Sequence, residues 1–172
     1  AIHVVPDASP LRLESALALL RQAGQDALPG DPRSPAYLQA LIDRLVDLSS
    51  RDALTGLANR RSFELSLARE VDRVARSGES ALLLMIDIDH FKHVNDRRGH
   101  GIGDEVIRNV GRVLGETVRP MDLVARIGGE EYAVLLPNCP PAFGPKVAAR
   151  VRQRVARSSV LLPGGGLLAV TC

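Results

Sequence analysis

The stretch "RIGGEEYAVLLP", residues 126–137, sets two glycines and two adjacent carboxylates, Glu130 and Glu131, directly before an apolar run with the composition of a buried strand. Two negative charges at the mouth of such a strand repel each other and lose hydration unless a cation sits nearby or one carboxyl stays protonated. "MDLVARI" at 121–127 and "YAVLLP" at 132–137 flank the glycines as strand-like segments, so "GGEE" reads as the tip of a β-hairpin. What surrounds that hairpin decides the fold class.

Upstream, "ALLLMIDI" at 81–88 is too short for a helix of its own and uniformly apolar, which predicts a central strand covered on both faces. Phe63, Leu67, Val71 and Val74 mark one face of a helix that "SGES" at 77–80 closes. Val106, Ile107, Val110, Val113 and Leu114 mark a second, and Val147, Val151 and Val155 a third, before "LLAVT" at 167–171 begins another strand. Helices and strands alternate around an antiparallel hairpin, so the expected class is α+β with a central mixed β-sheet flanked by helices. Residues 1–50 read differently. Leu13, Ala16, Leu17 and Leu20 predict a short helix, "PGDPRSP" at 29–35 a turn, and Leu38, Leu41, Ile42, Leu45 and Val46 an amphipathic helix over 36–50. The expected organisation is therefore an N-terminal helical segment, 1–50, serving as packing or as a dimerising, signal-carrying linker, and a main domain over 51–172.

Composition bounds the function. A chain of 172 residues with 45% apolar content can bury one sizeable core. No apolar stretch approaches the ~20 residues that span a bilayer, and no basic segment followed by an apolar run opens the chain, so no membrane partner and a cytoplasmic location are expected. Cys139 and Cys172 have no metal-like spacing. Basic residues concentrate in "KVAARVRQRVAR" at 146–157, but the net charge is only +2 and aromatics are 3%, so a nucleic-acid partner is not expected.

Asp87 ends the most apolar strand, where an ionised carboxylate is costly unless it is paired or holds a metal; the plain alternative is a helix N-cap for "DHFKHVND". With Glu130 it can supply the carboxylate pair that Mg²⁺ or Mn²⁺ takes beside waters and substrate phosphates. Glu131 can join it at the metal or accept a proton from an attacking hydroxyl, and the order of roles between Glu130 and Glu131 stays open. Gly128 and Gly129 leave room for a nucleotide. In "NDRRGHGIGDE", 95–105, a helix-like segment separates the glycines from the strand, so this is no Walker or Rossmann loop. Asp104 can accept the N1–H and N2–H₂ donors of guanine together, and Asn95 can read adjacent atoms. Lys92 can meet a terminal phosphate, and His100 can do the same or cap a turn.

Taken together and in this order, "DALTGLANRRSFE", "DIDHFKHVND", "GHGIGDE" and "RIGGEEY" resemble the GGDEF family of diguanylate cyclases. The resemblance runs from Asp52 to the end of the chain and implies the family's nucleotidyl-cyclase-like palm fold. It implies condensation of two GTP into cyclic di-GMP with release of pyrophosphate, each GTP held by one of two facing domains of a homodimer. By position it implies Asp87, the Ile88 carbonyl and Glu130 as magnesium ligands, Glu131 as acid/base residue or second metal contact, Asn95 and Asp104 as guanine readers, and Lys92 and His100 near the nucleotide. "RPMD", Arg119 to Asp122, matches the family's RxxD inhibitory product site, the plain alternative being a local ion pair. Tyr132 stands where Phe is commoner in the family. Members usually continue past the strand that "LLAVT" begins with a further helix and strand, so the resemblance implies a C-terminal part of the domain beyond Cys172. A catalytically silent receptor for cyclic di-GMP is the alternative function, and a purely structural dimerisation module a third.

Overall fold

Helix α2, Pro35–Ser50, starts where the sequence supplies a cap. Ser34 Oγ accepts the Tyr37 N–H at 3.2 Å, and Pro35 takes the first helical position, where its missing N–H is no loss. The computed structural model describes residues 11–172. Residues 1–10, which carry the reading of the chain's opening and the start of the 1–50 segment, lie outside the described residues. The chain divides into two compact units, one running to Ser49 and the other from Ser50 to Cys172. In the first, α1, Glu14–Gln22, precedes α2, and Leu20, Tyr37 and Leu41 are its buried apolar residues. Arg44 Nη1 donates to Gln25 Oε1 at 2.7 Å.

The second unit runs β1 (Ala58–Asn59), α3 (Arg60–Ser77), β2 (Leu82–Asp87), α4 (Phe91–Arg98), α5 (His100–Thr117), β3 (Leu123–Arg126), β4 (Glu131–Leu136), α6 (Gly144–Arg157), β5 (Val160–Leu161) and β6 (Leu167–Leu168). A four-stranded sheet has the order β1-β3-β4-β2, with β1 parallel to β3 and the other pairs antiparallel, so it is mixed. The β2–β4 register sets Leu82, Leu84 and Ile86 opposite Leu136, Val134 and Tyr132. That face meets Val106, Val110 and Leu114 of α5 and Val151 and Val155 of α6 in the main core. On the other face Ala125, Ala133 and Leu135 pack with Phe63 of α3. Side-chain alternation with period two thus sends successive residues of β3 and β4 to opposite layers.

Two expectations need correction. Among the described residues β2 is an edge strand, not a central one covered on both faces: Leu83 is 42% and Met85 62% exposed. A uniformly apolar run carries no alternation to tell one face from the other, and α3 covers the β3–β4 side of its layer, where Phe63 sits. The strand predicted over 167–171 is confined to Leu167–Leu168, which pairs with β5 in a separate two-stranded ribbon. Thr171 instead bonds Asp89: its carbonyl accepts the Asp89 N–H at 2.9 Å, and its hydroxyl donates to Asp89 Oδ2 at 2.6 Å. Among the described residues no helix is long and apolar enough to cross a membrane.

Candidate functional site

β2 and β4 deliver the carboxylates. Asp87, the last residue of β2, stands directly opposite Glu131, the first of β4. One step further the Ile88 N–H donates to the Glu130 carbonyl at 3.3 Å, so Asp87, Ile88, Glu130 and Glu131 meet at one end of the strand pair. Ile88 is 1% exposed and anchors the strand end in the core. Asp87 is not a helix cap: His90, in the left-handed region at φ 57°, holds the N-cap position of α4. Opposed carboxylates on paired strands disfavour the sheet, and the Arg60 guanidinium is near enough to Glu131 to offset part of that repulsion.

The turn 127–130 is tight. The Ile127 and Gly128 N–H groups both donate to the Glu131 carbonyl, at 2.9 and 3.3 Å. A Cβ on Gly128 would meet the Glu131 carboxylate as it now lies, so a larger residue there would displace that side chain, while Gly129 faces open space.

A second group forms where α4 meets α5. Gly99, at φ 81°, closes α4 through its N–H to Asn95 O at 2.8 Å, and α5 begins at His100. Asn95 Oδ1 is buried and lacks a hydrogen-bond partner within the described protein. It lies against Gly103, where a Cβ would collide with it. Asp104 follows directly and is half-buried, whereas Lys92 and His100 are exposed. An unpaired buried acceptor is costly, which makes Asn95 a candidate for a donor from outside the described protein.

Arg119 and Asp122 lie elsewhere, at the opposite end of β3 from the hairpin tip, a four-residue strand or about 13 Å away. They bond each other: the Arg119 backbone N–H reaches Asp122 Oδ2 at 2.8 Å, and Nη2 reaches Oδ1 at 2.8 Å. The Asp122 side chain is 1% exposed and that of Arg119 48%. An open cleft of about 370 Å³ lies beside them, lined in part by Arg51, Ser62 and Val118.

Sequence reasoning missed Arg126 and Asp52. Arg126 Nε and Nη2 donate to the Gly129 carbonyl at 3.2 and 2.9 Å, and Nη1 donates to both Asp52 oxygens at 3.2 Å. Asp52 also accepts the Thr55 N–H and hydroxyl, at 2.9 and 2.7 Å. Burial alone raises the Asp52 carboxyl, but the bonds from Thr55 and Arg126 outweigh it and hold its pKa below the ordinary 3.8. The partners are 74 residues apart, and although each opens one of the motifs quoted above, nothing in either stretch pairs them.

Among the described residues no three His, Cys, Asp or Glu side chains are grouped as a metal cage. A hard divalent cation of the Mg²⁺ type needs only one or two carboxylates, with waters and substrate phosphates completing its shell. Asp87 and Glu131, opposed across the strand pair, with Glu130 and the Ile88 backbone beside them, could supply oxygen donors of that kind.

The diguanylate cyclase, GGDEF domain, family profile matches residues 49–168. The chain is 40% identical over 129 residues to the response regulator PleD of Caulobacter vibrioides, covering 75% of this chain and 28% of PleD. It is 43% identical over 120 residues to the probable diguanylate cyclase DgcC of Escherichia coli, covering 70% of this chain and 32% of DgcC. The chain thus spans about a third of the length of the curated relatives it matches. Among solved structures, the GGDEF domain of DgcB from Caulobacter crescentus in complex with c-di-GMP superposes with a TM-score of 0.68 at 35% identity, covering 72% of this chain and 71% of that one.

Proposed function

The chain belongs to the GGDEF family of diguanylate cyclases, and from that membership we propose that it condenses two GTP into cyclic di-GMP. The observation that carries this reading is the register of β2 on β4, which sets Asp87 opposite Glu131 beside Glu130. In the proposed reaction the 3′-hydroxyl oxygen of each GTP forms a bond to the α-phosphorus of the other. The bond from that phosphorus to the β-phosphate bridge breaks, and pyrophosphate leaves carrying the electron pair. Two such transfers close the ring, each GTP being held by one of two facing copies of the domain.

The residues divide the work. Asn95, with its buried acceptor, and Asp104 take the guanine donors, which adenine lacks. Lys92 and His100, exposed at the start of α4 and α5, face the nucleotide's phosphates. Gly128 and Gly129 keep the tip free of side chains. Asp87, the Ile88 carbonyl and Glu130 would hold Mg²⁺ or Mn²⁺, and Glu131 accepts the hydroxyl proton. When bound, the cation supplies charge neutralisation at the phosphates and makes the hydroxyl easier to deprotonate. Arg119 and Asp122, once their mutual pair opens, take the product's guanine edge and phosphate as a feedback site.

Glu130→Gln tests the reading. With GTP and Mg²⁺ it should lose at least about 100-fold in rate while GTP still binds, because a neutral amide is a poor cation ligand. Normal turnover by this variant would reject the metal assignment. A folded wild-type chain that makes no product yet binds cyclic di-GMP tightly would replace the cyclase with a receptor.

A further inference from the structure

The bonds below the hairpin tip reach a peptide whose orientation packing within the turn leaves loose. Gly129 has no side chain, and nothing lies within 4 Å of where its Cβ would stand, so packing does not fix it. Its carbonyl and the Glu130 N–H belong to a single planar peptide. Arg126 grips that carbonyl with two N–H groups. On the far side of Glu130, its own carbonyl accepts the Ile88 N–H at 3.3 Å. The two peptides flanking Glu130 are therefore held separately, one by Arg126 and the other by the strand end that carries Asp87.

Arg126 is itself held. Its side chain is 15% exposed, and its third contact is the bidentate ion pair to Asp52. Asp52 is fixed by its bonds from Thr55, and its own N–H and carbonyl close the turn 52–57 through Leu57 O and the Gly56 N–H, each at 2.8 Å. The planar guanidinium can bond a carboxylate and a carbonyl at once, which a lysine ammonium on a flexible stem cannot reproduce.

We propose that Arg126 is a positioning residue that sets the Gly129–Glu130 peptide, and so the aim of the Glu130 carboxylate toward Asp87, with Asp52 as its fixed post. The catalytic arm of this proposal rests on the cyclase reading; the structural arm does not. Arg126→Lys and Asp52→Asn separate aim from fold. Lysine keeps the charge, and asparagine still accepts from Thr55, so both variants should keep the core.

Two measurements test it. With GTP and Mg²⁺, both variants should lose about 10–100-fold in kcat, with KM for GTP within about threefold, because the guanine contacts sit on α4 and α5. Without any nucleotide, amide hydrogen exchange at 128–131 should quicken about tenfold while 133–136 in β4 stay protected. Unchanged exchange at 128–131 in Arg126→Lys would overturn the proposal. So would equal loss of protection across 123–136 in both variants, which marks a residue that only holds the fold. If wild type forms no cyclic di-GMP the cyclase reading fails, and the exchange result alone still decides the clamp.

Discussion

Gly103 has no side chain because Asn95 needs the space: a Cβ there would strike Asn95 Oδ1 and stand 3.2 Å from Phe91 Cζ. Gly103→Ala should push the amide aside and lower GTP affinity about tenfold, by calorimetric titration, while the helical circular dichroism is unchanged. Equal affinity would show that Asn95 does not read the base. Tyr132 shows the opposite device. Its ring is fully buried, and its hydroxyl donates to the Ile107 carbonyl at 2.7 Å, tying β4 to α5. Burial raises this phenol's pKa, so it stays a donor. Asp52 gives a pH signature. Its folded pKa lies below the ordinary 3.8, so its stabilisation is complete above that value and is lost as pH falls through the lowered one. Urea unfolding should show a gap between wild type and Asp52→Asn that is constant above about pH 5 and closes on acidification. A gap that widens in acid would contradict the assignment.

β3 joins two sites by four residues, Leu123–Arg126, with the Arg119–Asp122 pair at its start and the carboxylate turn after its end. The side chains of the pair satisfy each other, so a product bound there, as proposed, would have to displace one interaction to make another. Arg119→Ala should raise the cyclic di-GMP concentration needed for half-inhibition at least about tenfold, since it removes a charge-assisted fork. An unchanged inhibition curve would reduce "RPMD" to the local ion pair its geometry already shows. Elements were legible in proportion to their length. The helices at α3, α5 and α6 and the hairpin at 123–136 follow from periodicity and a glycine pair. The two-residue strands β1 and β5 have no period to read. The position of β2 in the sheet was misread, since Leu83 and Met85 look identical to their buried neighbours until the sheet order is known. The site's carboxylates and the Asn95 acceptor were visible as residue types. The pairing of Arg126 with Asp52 was not, because an ion pair spanning 74 residues joins two motifs that nothing in either local stretch connects.

The second unit, Ser50–Cys172, carries the proposed guanine readers Asn95 and Asp104, the carboxylate turn and the Arg119–Asp122 pair around one mixed sheet, and the family profile spans nearly the same residues, 49–168. The unit ending at Ser49 contributes none of the proposed site residues. The reading as a cyclase makes a stoichiometric claim that no binding module can meet. Incubate the protein with GTP and Mg²⁺ and quantify nucleotide products and pyrophosphate together by chromatography. The account predicts one cyclic di-GMP for two pyrophosphates, with no GDP. GTP left intact, or consumed to GDP and phosphate, would contradict it.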